Sequence, residues 1–186
     1  MLQYWIKYKV VCMDYILLCI LFLLSGFFMK LSDDFYDENQ NLFLAIVFGI
    51  FCALASAIAT VFNEGAAYIF LGILIGNLFV LKIDGINHIL TGFIFILICL
   101  ICGIPDLNLT VLLIVILAAM VDEVGHELIA NYTENNFLIL FFEYRFVMKI
   151  IVFLLALFGA FPFEIFIFFI LFELSYLVAG LVLKKD

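Results

Sequence analysis

The chain has 186 residues, a formal net charge of −8 and a composition that is 69% hydrophobic. A soluble domain of this length could not hide so much apolar surface, so the composition predicts an integral membrane protein. The acidic residues are concentrated in loops and at helix ends, and acidic loops argue against nucleic acid as a partner. The cysteines lie in or beside apolar runs, which is typical of small packing residues rather than of a disulfide scaffold.

Apolar runs long enough to cross a hydrocarbon layer of about 30 Å predict the transmembrane helices. Residues 1–13 precede them as either an interfacial segment or a misassigned start, and residues 14–186 form the transmembrane helical domain. The predicted fold is an all-α, polytopic transmembrane helical bundle. In chain order the seven predicted spans cover 15–29, 42–62, 66–81, 89–104, 107–121, 137–158 and 163–183.

Two of these spans carry small residues at intervals of four, a spacing that lets a second helix backbone approach closely. The residues in this pattern are Ala45, Gly49, Ala53 and Ala57 in the second span and Gly72 and Gly76 in the third. These residues predict helix packing and carry no chemistry of their own.

Lysine positions predict the orientation of the bundle, because cytoplasmic loops carry an excess of Lys and Arg. With the loop after Lys30 in the cytoplasm, alternation of the spans also places Lys82 and the Lys184-Lys185 tail there. The loops on the opposite side contain no Lys or Arg. We therefore expect a multi-pass protein of the cell membrane.

Two short acidic stretches follow apolar spans. The first acidic motif begins Asp33-Asp34-Phe35-Tyr36-Asp37-Glu38, and the second is Asp122-Glu123-Val124-Gly125-His126-Glu127. Because one motif follows the first span and the other follows the fifth, the two preceding helices run in the same direction. This arrangement predicts a parallel internal repeat with both motifs on the cytoplasmic side.

Carboxylates clustered beside membrane spans are functional candidates, because such groups are costly near hydrocarbon. On a helical path Asp34 and Asp37 share one face, and so do Asp122 and His126. Two facing clusters suit a hard cation, namely Mg²⁺ carrying a phosphate-bearing substrate. These four residues are the predicted metal ligands; the alternative is that the two stretches are ordinary solvated loop acids.

The two motifs are similar to those of the UbiA superfamily of intramembrane prenyltransferases. The family's first motif is Asn/Asp-Asp-x-x-Asp-x-x-x-Asp, and this chain follows it from Asp33 to Asn41, with Asn41 in place of the last acid. The family's second motif, Asp-x-x-x-Asp, is matched from Asp122 to His126, with His126 in place of the last acid. The resemblance covers about residues 14–186.

This resemblance implies transfer of a prenyl group from an isoprenoid diphosphate to an acceptor within the membrane, with Mg²⁺ as cofactor and membrane lipids around the protein. It implies that Asp34, Asp37 and Asp122 bind the Mg²⁺–diphosphate and that Asp33 supports them. His126 can still coordinate a metal, although imidazole favours a softer ion than Mg²⁺.

Further residues are predicted to bind the substrate. Asp33 belongs to the first motif, and on a helical path Asn41 continues the face of Asp37. Lys82 ends a Leu-Lys step that resembles the end of a family helix before a Gly-containing loop.

Arg145 and Lys149 interrupt the sixth predicted span. One interpretation is that both snorkel to the interface and pair locally with Glu143. The other is that they supply a diphosphate clamp, because the basic residues that follow the first motif in the family are missing here.

Phe22, Phe27 and Phe28 are candidates for the lining of an apolar cavity, where their rings could shield an allylic carbocation. At helical spacing such residues also serve as core or lipid-facing side chains.

Two other functions stay open. A divalent-cation transporter could use the motifs as an entry site and Glu64 and Glu173 as its path, and Glu123-x-x-His126 resembles the spacing of di-metal bundles. A catalytically inactive UbiA-like membrane protein is the other possibility, because two motif positions are substituted. His88 is expected to be a loop residue rather than a ligand.

Overall fold

The structure is a computed structural model that describes residues 2–81, 85–132 and 134–183. Within these ranges the chain forms eight helices and no strand, which confirms the predicted all-α class. The helices are α1 (Leu2–Asp37), α2 (Leu42–Phe62), α3 (Glu64–Phe79), α4 (Ile86–Cys102), α5 (Leu109–Tyr132), α6 (Asn136–Glu143), α7 (Phe146–Leu157) and α8 (Phe163–Leu183).

Four of the described helices are long and apolar enough to cross a membrane, judged by length and composition. Their apolar segments are Asp14–Asp37, Leu42–Phe62, Leu109–Ile129 and Phe163–Val182. The helices α3, α4 and α7 are also apolar but shorter. The four long helices support the prediction of a membrane protein.

Six of the helices form a closed ring. α1 packs against α2 and α8, α3 packs against α2 and α5, and α7 fills the place between α5 and α8. The two remaining helices join this ring from its sides, with α4 against α2 and α6 against α5. A ring of this kind encloses interior space, which is where polar side chains avoid lipid.

The glycines of the predicted small-residue surfaces lie at close contacts between helices. A Cβ atom on Gly49 would collide with Thr91 of α4, and one on Gly72 would lie 2.5 Å from Val115 of α5. One turn further along α3, a Cβ on Gly76 would lie 2.8 Å from the Cβ of Ala119. The packing role predicted for these glycines is confirmed.

Both acidic motifs lie on helices that continue beyond the predicted spans. α1 covers the first half of the first motif and ends at Asp37, and α5 runs through the second motif to Tyr132. Asp122 therefore lies ten residues before the end of α5, at roughly 15 Å from it along the helix. The end of the bundle where α1 and α5 terminate is called the motif end below.

The single span predicted over 137–158 is wrong, because this segment forms two helices. α6 ends at Glu143, α7 begins at Phe146, and Arg145 between them has left-handed backbone angles of φ 50° and ψ 52°. Non-helical backbone is tolerated inside a membrane protein where its polar groups find partners in the bundle or line a cavity. The partners of this break are residues of the second motif.

Candidate functional site

Two adjoining cavities lie between the helices at the motif end. The larger cavity, of about 480 Å³, lies among α1, α3, α5, α8 and the α6–α7 break. The smaller cavity, of about 330 Å³, lies among α1, α2, α3 and α4. The side chains that line both are Met29, Ile73, Asn77, Glu123, Arg145 and Tyr176. The two cavities therefore meet at a group that includes one cation, one acid and one phenol.

Both acidic motifs contribute side chains to these cavities. Asp33 and Asp37 line the smaller cavity, whereas Asp122 and His126 line the larger one. Glu123, which the sequence suggested only in the transporter alternative, faces both. The tertiary structure thus brings the two motifs around one connected space.

The Asp33 carboxylate is held by two side chains from other helices. Its Oδ2 accepts a 3.0 Å hydrogen bond from the hydroxyl of Tyr176, on α8. Its Oδ1 lies 3.5 Å from Nε2 of His88, on α4, and is buried without a hydrogen-bond partner among the described residues. One oxygen of Asp33 is therefore available to a ligand.

Asp34 forms a local ion pair. Its Oδ1 lies 2.7 Å from Nζ of Lys30, one helical turn earlier on α1, and the residue is only 2% exposed. Its Oδ2 is buried and has no hydrogen-bond partner within the described part of the chain. Asp34 lines neither cavity, but its partner Lys30 lines the larger one.

Asp37 and Asn41 do not share a helix face. α1 ends at Asp37, which is exposed, and Asn41 is the N-cap of α2. The Oδ1 atom of Asn41 accepts a 3.2 Å hydrogen bond from the amide of Leu44. The predicted continuation of the Asp37 face to Asn41 is wrong, because a turn separates the two helices.

Asp122 binds backbone rather than open space. It is 2% exposed, its Oδ1 accepts from the amide of Val147 at 3.0 Å, and its Oδ2 accepts from the amide of Met148 at 2.6 Å. These amides belong to the first turn of α7, where a helix has no partners of its own for its N–H groups. Both Asp122 oxygens are thus engaged by the α6–α7 break.

Glu123 and His126 occupy different positions on α5. Glu123 is 7% exposed, and its Oε2 lies 3.0 Å from a guanidinium nitrogen of Arg145. His126 is exposed at the larger cavity. The Arg145 side chain keeps 38% of its surface accessible and faces both cavities, so its ion pair with Glu123 leaves part of the guanidinium open.

The local pairing with Glu143 that was one interpretation of Arg145 and Lys149 is replaced by contacts across the bundle. Lys149 lies 2.9 Å from Oε2 of Glu173 on α8 and also donates to the carbonyl of Tyr144. Glu173 therefore faces protein, and it lines the larger cavity. Lys149 lines neither cavity. Lys82 lies outside the described residues.

The cavities also have apolar surfaces. Phe70 and Phe95 line the smaller cavity, and Phe172 lines the larger one. Phe22 is instead a fully buried core residue, with its ring centroid 4.8 Å from that of Phe70. Phe27 and Phe28, the two other residues predicted to line an apolar cavity, line neither of these cavities. A polar motif end therefore adjoins aromatic surface, although other phenylalanines provide it.

Sequence reasoning missed His88, Tyr176 and Asn77 as site residues. His88 was expected in a loop, but α4 begins at Ile86 and its first turn faces Asp33. A usable signal existed, because Asn77 and Tyr176 interrupt apolar runs in the second half of predicted spans and His88 immediately precedes one. Which of them would face the motifs depended on the helix rotations.

The two motifs differ in how well they fit a Mg²⁺ ion. The described residues contain no group of three or more His, Cys, Asp or Glu side chains placed to hold a metal ion. Mg²⁺ often binds through only one or two carboxylates and the phosphates of its substrate. Asp33, which lines the smaller cavity and has one oxygen without a hydrogen-bond partner among the described residues, fits that need. Asp34 also has such an oxygen but lines neither cavity, and both Asp122 oxygens already accept amide hydrogens of α7.

No protein-family model, no curated protein and no solved structure matches this chain. The fold and the site therefore have to be interpreted from the chain's own geometry.

Proposed function

We propose that this protein is a UbiA-like membrane protein that binds a prenyl diphosphate at the motif end and transfers its prenyl group to an acceptor in the membrane. The observation that carries the proposal is the convergence of both motifs on two adjoining cavities that share Arg145. The similarity of the motifs to the UbiA pattern supplies the reaction class.

The site suits a ligand with a charged head and an apolar chain. Lys30 and Arg145 place cationic groups at the larger cavity, and Phe172 and Met148 place apolar surface there. The cavity volumes fall in the range that small-molecule sites occupy, about 300–1,000 Å³. A prenyl diphosphate has both chemical parts.

In the proposed reaction Arg145 and Lys30 bind the diphosphate oxygens, since guanidinium and ammonium groups form charge-assisted hydrogen bonds to phosphate. Asp33 would hold Mg²⁺, which would neutralise the diphosphate charge and so favour its departure, and Asp34 would support the site through its ion pair with Lys30. Phe172, with the other cavity rings, excludes water from the allylic cation and faces it with π surfaces. The acceptor then forms a bond to the cationic allylic carbon that the departing diphosphate leaves.

Binding is tested with radiolabelled geranyl, farnesyl and geranylgeranyl diphosphates, the purified protein and Mg²⁺. We expect saturable binding, and we expect Arg145→Ala and Asp33→Asn to remove most of it. Asp106→Asn is the matched control, because Asp106 is an exposed acid in the connection between α4 and α5 and lines neither cavity. Absence of binding with all three chain lengths would reject the proposal.

A divalent-cation transporter is the second candidate, because unpartnered Asp33 and Asp34 oxygens also suit a cation. Its proposed path residues do not share a cavity: Glu173 lines the larger cavity and pairs with Lys149, whereas Glu64 lines neither and accepts a 2.9 Å hydrogen bond from Tyr68. Mn²⁺ uptake into proteoliposomes that is lost in Glu173→Gln would favour transport over prenyl transfer. An inactive UbiA-like protein would bind farnesyl diphosphate without transferring its prenyl group.

The orientation and the internal repeat also belong to this proposal. Lys30 at the motif end supports a cytoplasmic position for both motifs in the cell membrane. The parallel course of α1 and α5, each ending at the motif end, supports the repeat.

A further inference from the structure

We infer that the second acidic motif of this protein is not a metal site, and that Asp122 and Glu123 are positioning residues that build the α6–α7 break and orient Arg145 toward an anionic ligand. The part that concerns the ligand rests on the proposed function. The part that concerns the break does not.

The first observation is that backbone amides engage both carboxylate oxygens of Asp122. Its two oxygens each accept one amide hydrogen, from Val147 at 3.0 Å and from Met148 at 2.6 Å. Each oxygen keeps a second lone pair, but Asp122 is only 2% exposed. A Mg²⁺ ion with its water ligands could therefore reach it only by displacing the first turn of α7, which would leave these two amides inside the bundle without partners. Leaving a buried amide without an acceptor costs more free energy than a typical hydrogen bond contributes to stability, so this exchange is unfavourable.

The second observation is that α7 begins within the bundle, beside the middle of α5. A helix N-terminus carries partial positive charge on its unpaired amides, and a carboxylate placed there compensates that charge. The N-cap position of α7 is Arg145, whose side chain makes no capping hydrogen bond. Asp122 supplies the missing cap from another helix.

The third observation concerns the next residue of the motif. Glu123 lies 3.0 Å from the guanidinium of Arg145 and is nearly buried, so it fixes the direction of a side chain that faces both cavities. The left-handed backbone of Arg145 is uncommon for a residue with a side chain. Asp122 holds the backbone on one side of this residue and Glu123 holds its side chain.

Thermal unfolding of the detergent-solubilised protein in EDTA tests the role of Asp122. Without metal, removing a metal ligand leaves stability unchanged or raises it, because a buried charge disappears. Removing a cap lowers it. We expect Asp122→Ala to lower the melting temperature by about 5 °C or more, since two amides lose their acceptor. Asp122→Asn keeps one acceptor and should fall between Asp122→Ala and the wild type.

Two variants make this experiment decisive. Asp37→Asn removes an exposed carboxylate of the first motif and should leave the melting temperature in EDTA unchanged. If Asp122→Ala does not fold, the comparison uses Asp122→Asn, whose isosteric side chain removes the negative charge and preserves size. An unchanged or raised melting temperature for Asp122→Asn in EDTA would overturn the inference.

Binding of farnesyl diphosphate across a Mg²⁺ titration tests the positioning role of Glu123. We expect Glu123→Gln to weaken binding by about tenfold, because the guanidinium loses its fixed partner, with an unchanged half-saturating Mg²⁺ concentration. Glu123→Asp should restore part of the affinity. A rise in the half-saturating Mg²⁺ concentration for Glu123→Gln and Asp122→Asn would show a metal site and overturn the inference.

Failure of the proposed function gives a different result. If wild-type protein binds no prenyl diphosphate, the orientation of Arg145 toward such a ligand is rejected with that function. The melting temperatures in EDTA still decide whether Asp122 caps α7.

Discussion

The two acidic motifs have nearly the same pattern of residues, and the fold uses them differently. In the first motif, Asp33 and Asp34 each keep one buried oxygen without a hydrogen-bond partner among the described residues. In the second, both oxygens of Asp122 accept hydrogen bonds from backbone amides of α7. The difference lies in what packs beside each motif: side chains of α1, α4 and α8 in one case, a helix N-terminus in the other.

This contrast shows that a carboxylate's neighbours decide whether it can serve a ligand. A side-chain partner such as Tyr176 or His88 can exchange for a ligand atom, because it can turn toward the cavity or toward water. A backbone amide inside the bundle cannot turn away without leaving the helix. The motif that faces side chains is therefore the one that can respond to a ligand.

The largest effect is expected at Arg145, where the two motifs meet. Arg145→Ala should weaken farnesyl diphosphate binding by about 30-fold or more, since charge-assisted hydrogen bonds contribute roughly 1.5–3 kcal/mol. Arg145→Lys should recover part of the affinity because it keeps the charge but not the planar donor pair. Equilibrium binding to purified protein measures both. Equal affinity in Arg145→Ala and wild type would show that the diphosphate does not bind Arg145 in these cavities.

Gly125 tests the packing that supports the second motif. A Cβ atom there would collide with the ring of Phe142 on α6, so Gly125→Ala should destabilise the protein by about 1–3 kcal/mol. The matched control is Gly92→Ala on α4, whose Cβ would lie 3.3 Å from the flexible end of Leu74. Thermal unfolding compares the two. Similar melting temperatures for both variants would mean that α6 does not need close contact with α5.

Tyr176 tests the first motif. Tyr176→Phe removes the 3.0 Å hydrogen bond to Asp33 and should cost about 1 kcal/mol in the unfolding free energy. In an Asp33→Asn background the same change should cost less, because the charged acceptor is gone. Chemical denaturation of the four proteins gives the coupling energy between the two residues. A coupling near zero would indicate that Asp33 is already held by other groups.

The smallest effect on ligand binding is expected at Asn41. Asn41→Ala removes the cap of α2 and should lower stability by about 1 kcal/mol, whereas Asn41→Asp should retain it. Neither change should alter farnesyl diphosphate affinity, because Asn41 lines neither cavity. Thermal unfolding and equilibrium binding on the same preparations check the two expectations. A loss of affinity in Asn41→Ala would instead support the predicted role of Asn41 in substrate binding.

Much of the fold was accessible from apolar runs. The predicted spans over 42–62 and 163–183 coincide with α2 and α8, because apolar length alone defines such helices. The prediction failed over 137–158, because the charges of Glu143, Arg145 and Lys149 do not by themselves indicate a break, which depends on contact with the distant Asp122. Hydropathy records the composition of a segment and does not record which helix supplies its caps.

The candidate site was also predictable only in part from the sequence. The sequence identified the two motifs and the candidates Arg145 and Glu173, because charges within apolar sequence stand out. It did not identify Tyr176 or His88 as partners of Asp33, since their roles depend on contacts between residues far apart in the chain.

By itself the sequence determined that this chain is helical, that several of its segments are long and apolar enough to cross a membrane, and that its two acidic motifs follow apolar runs, because hydrophobicity and charge are local properties. Only the tertiary structure decided that the motifs converge on shared cavities, that Arg145 lies between them, and that Asp122 caps α7. Those outcomes depend on which helix faces each carboxylate, and the burial that makes such a contact matter is a property of the packed bundle.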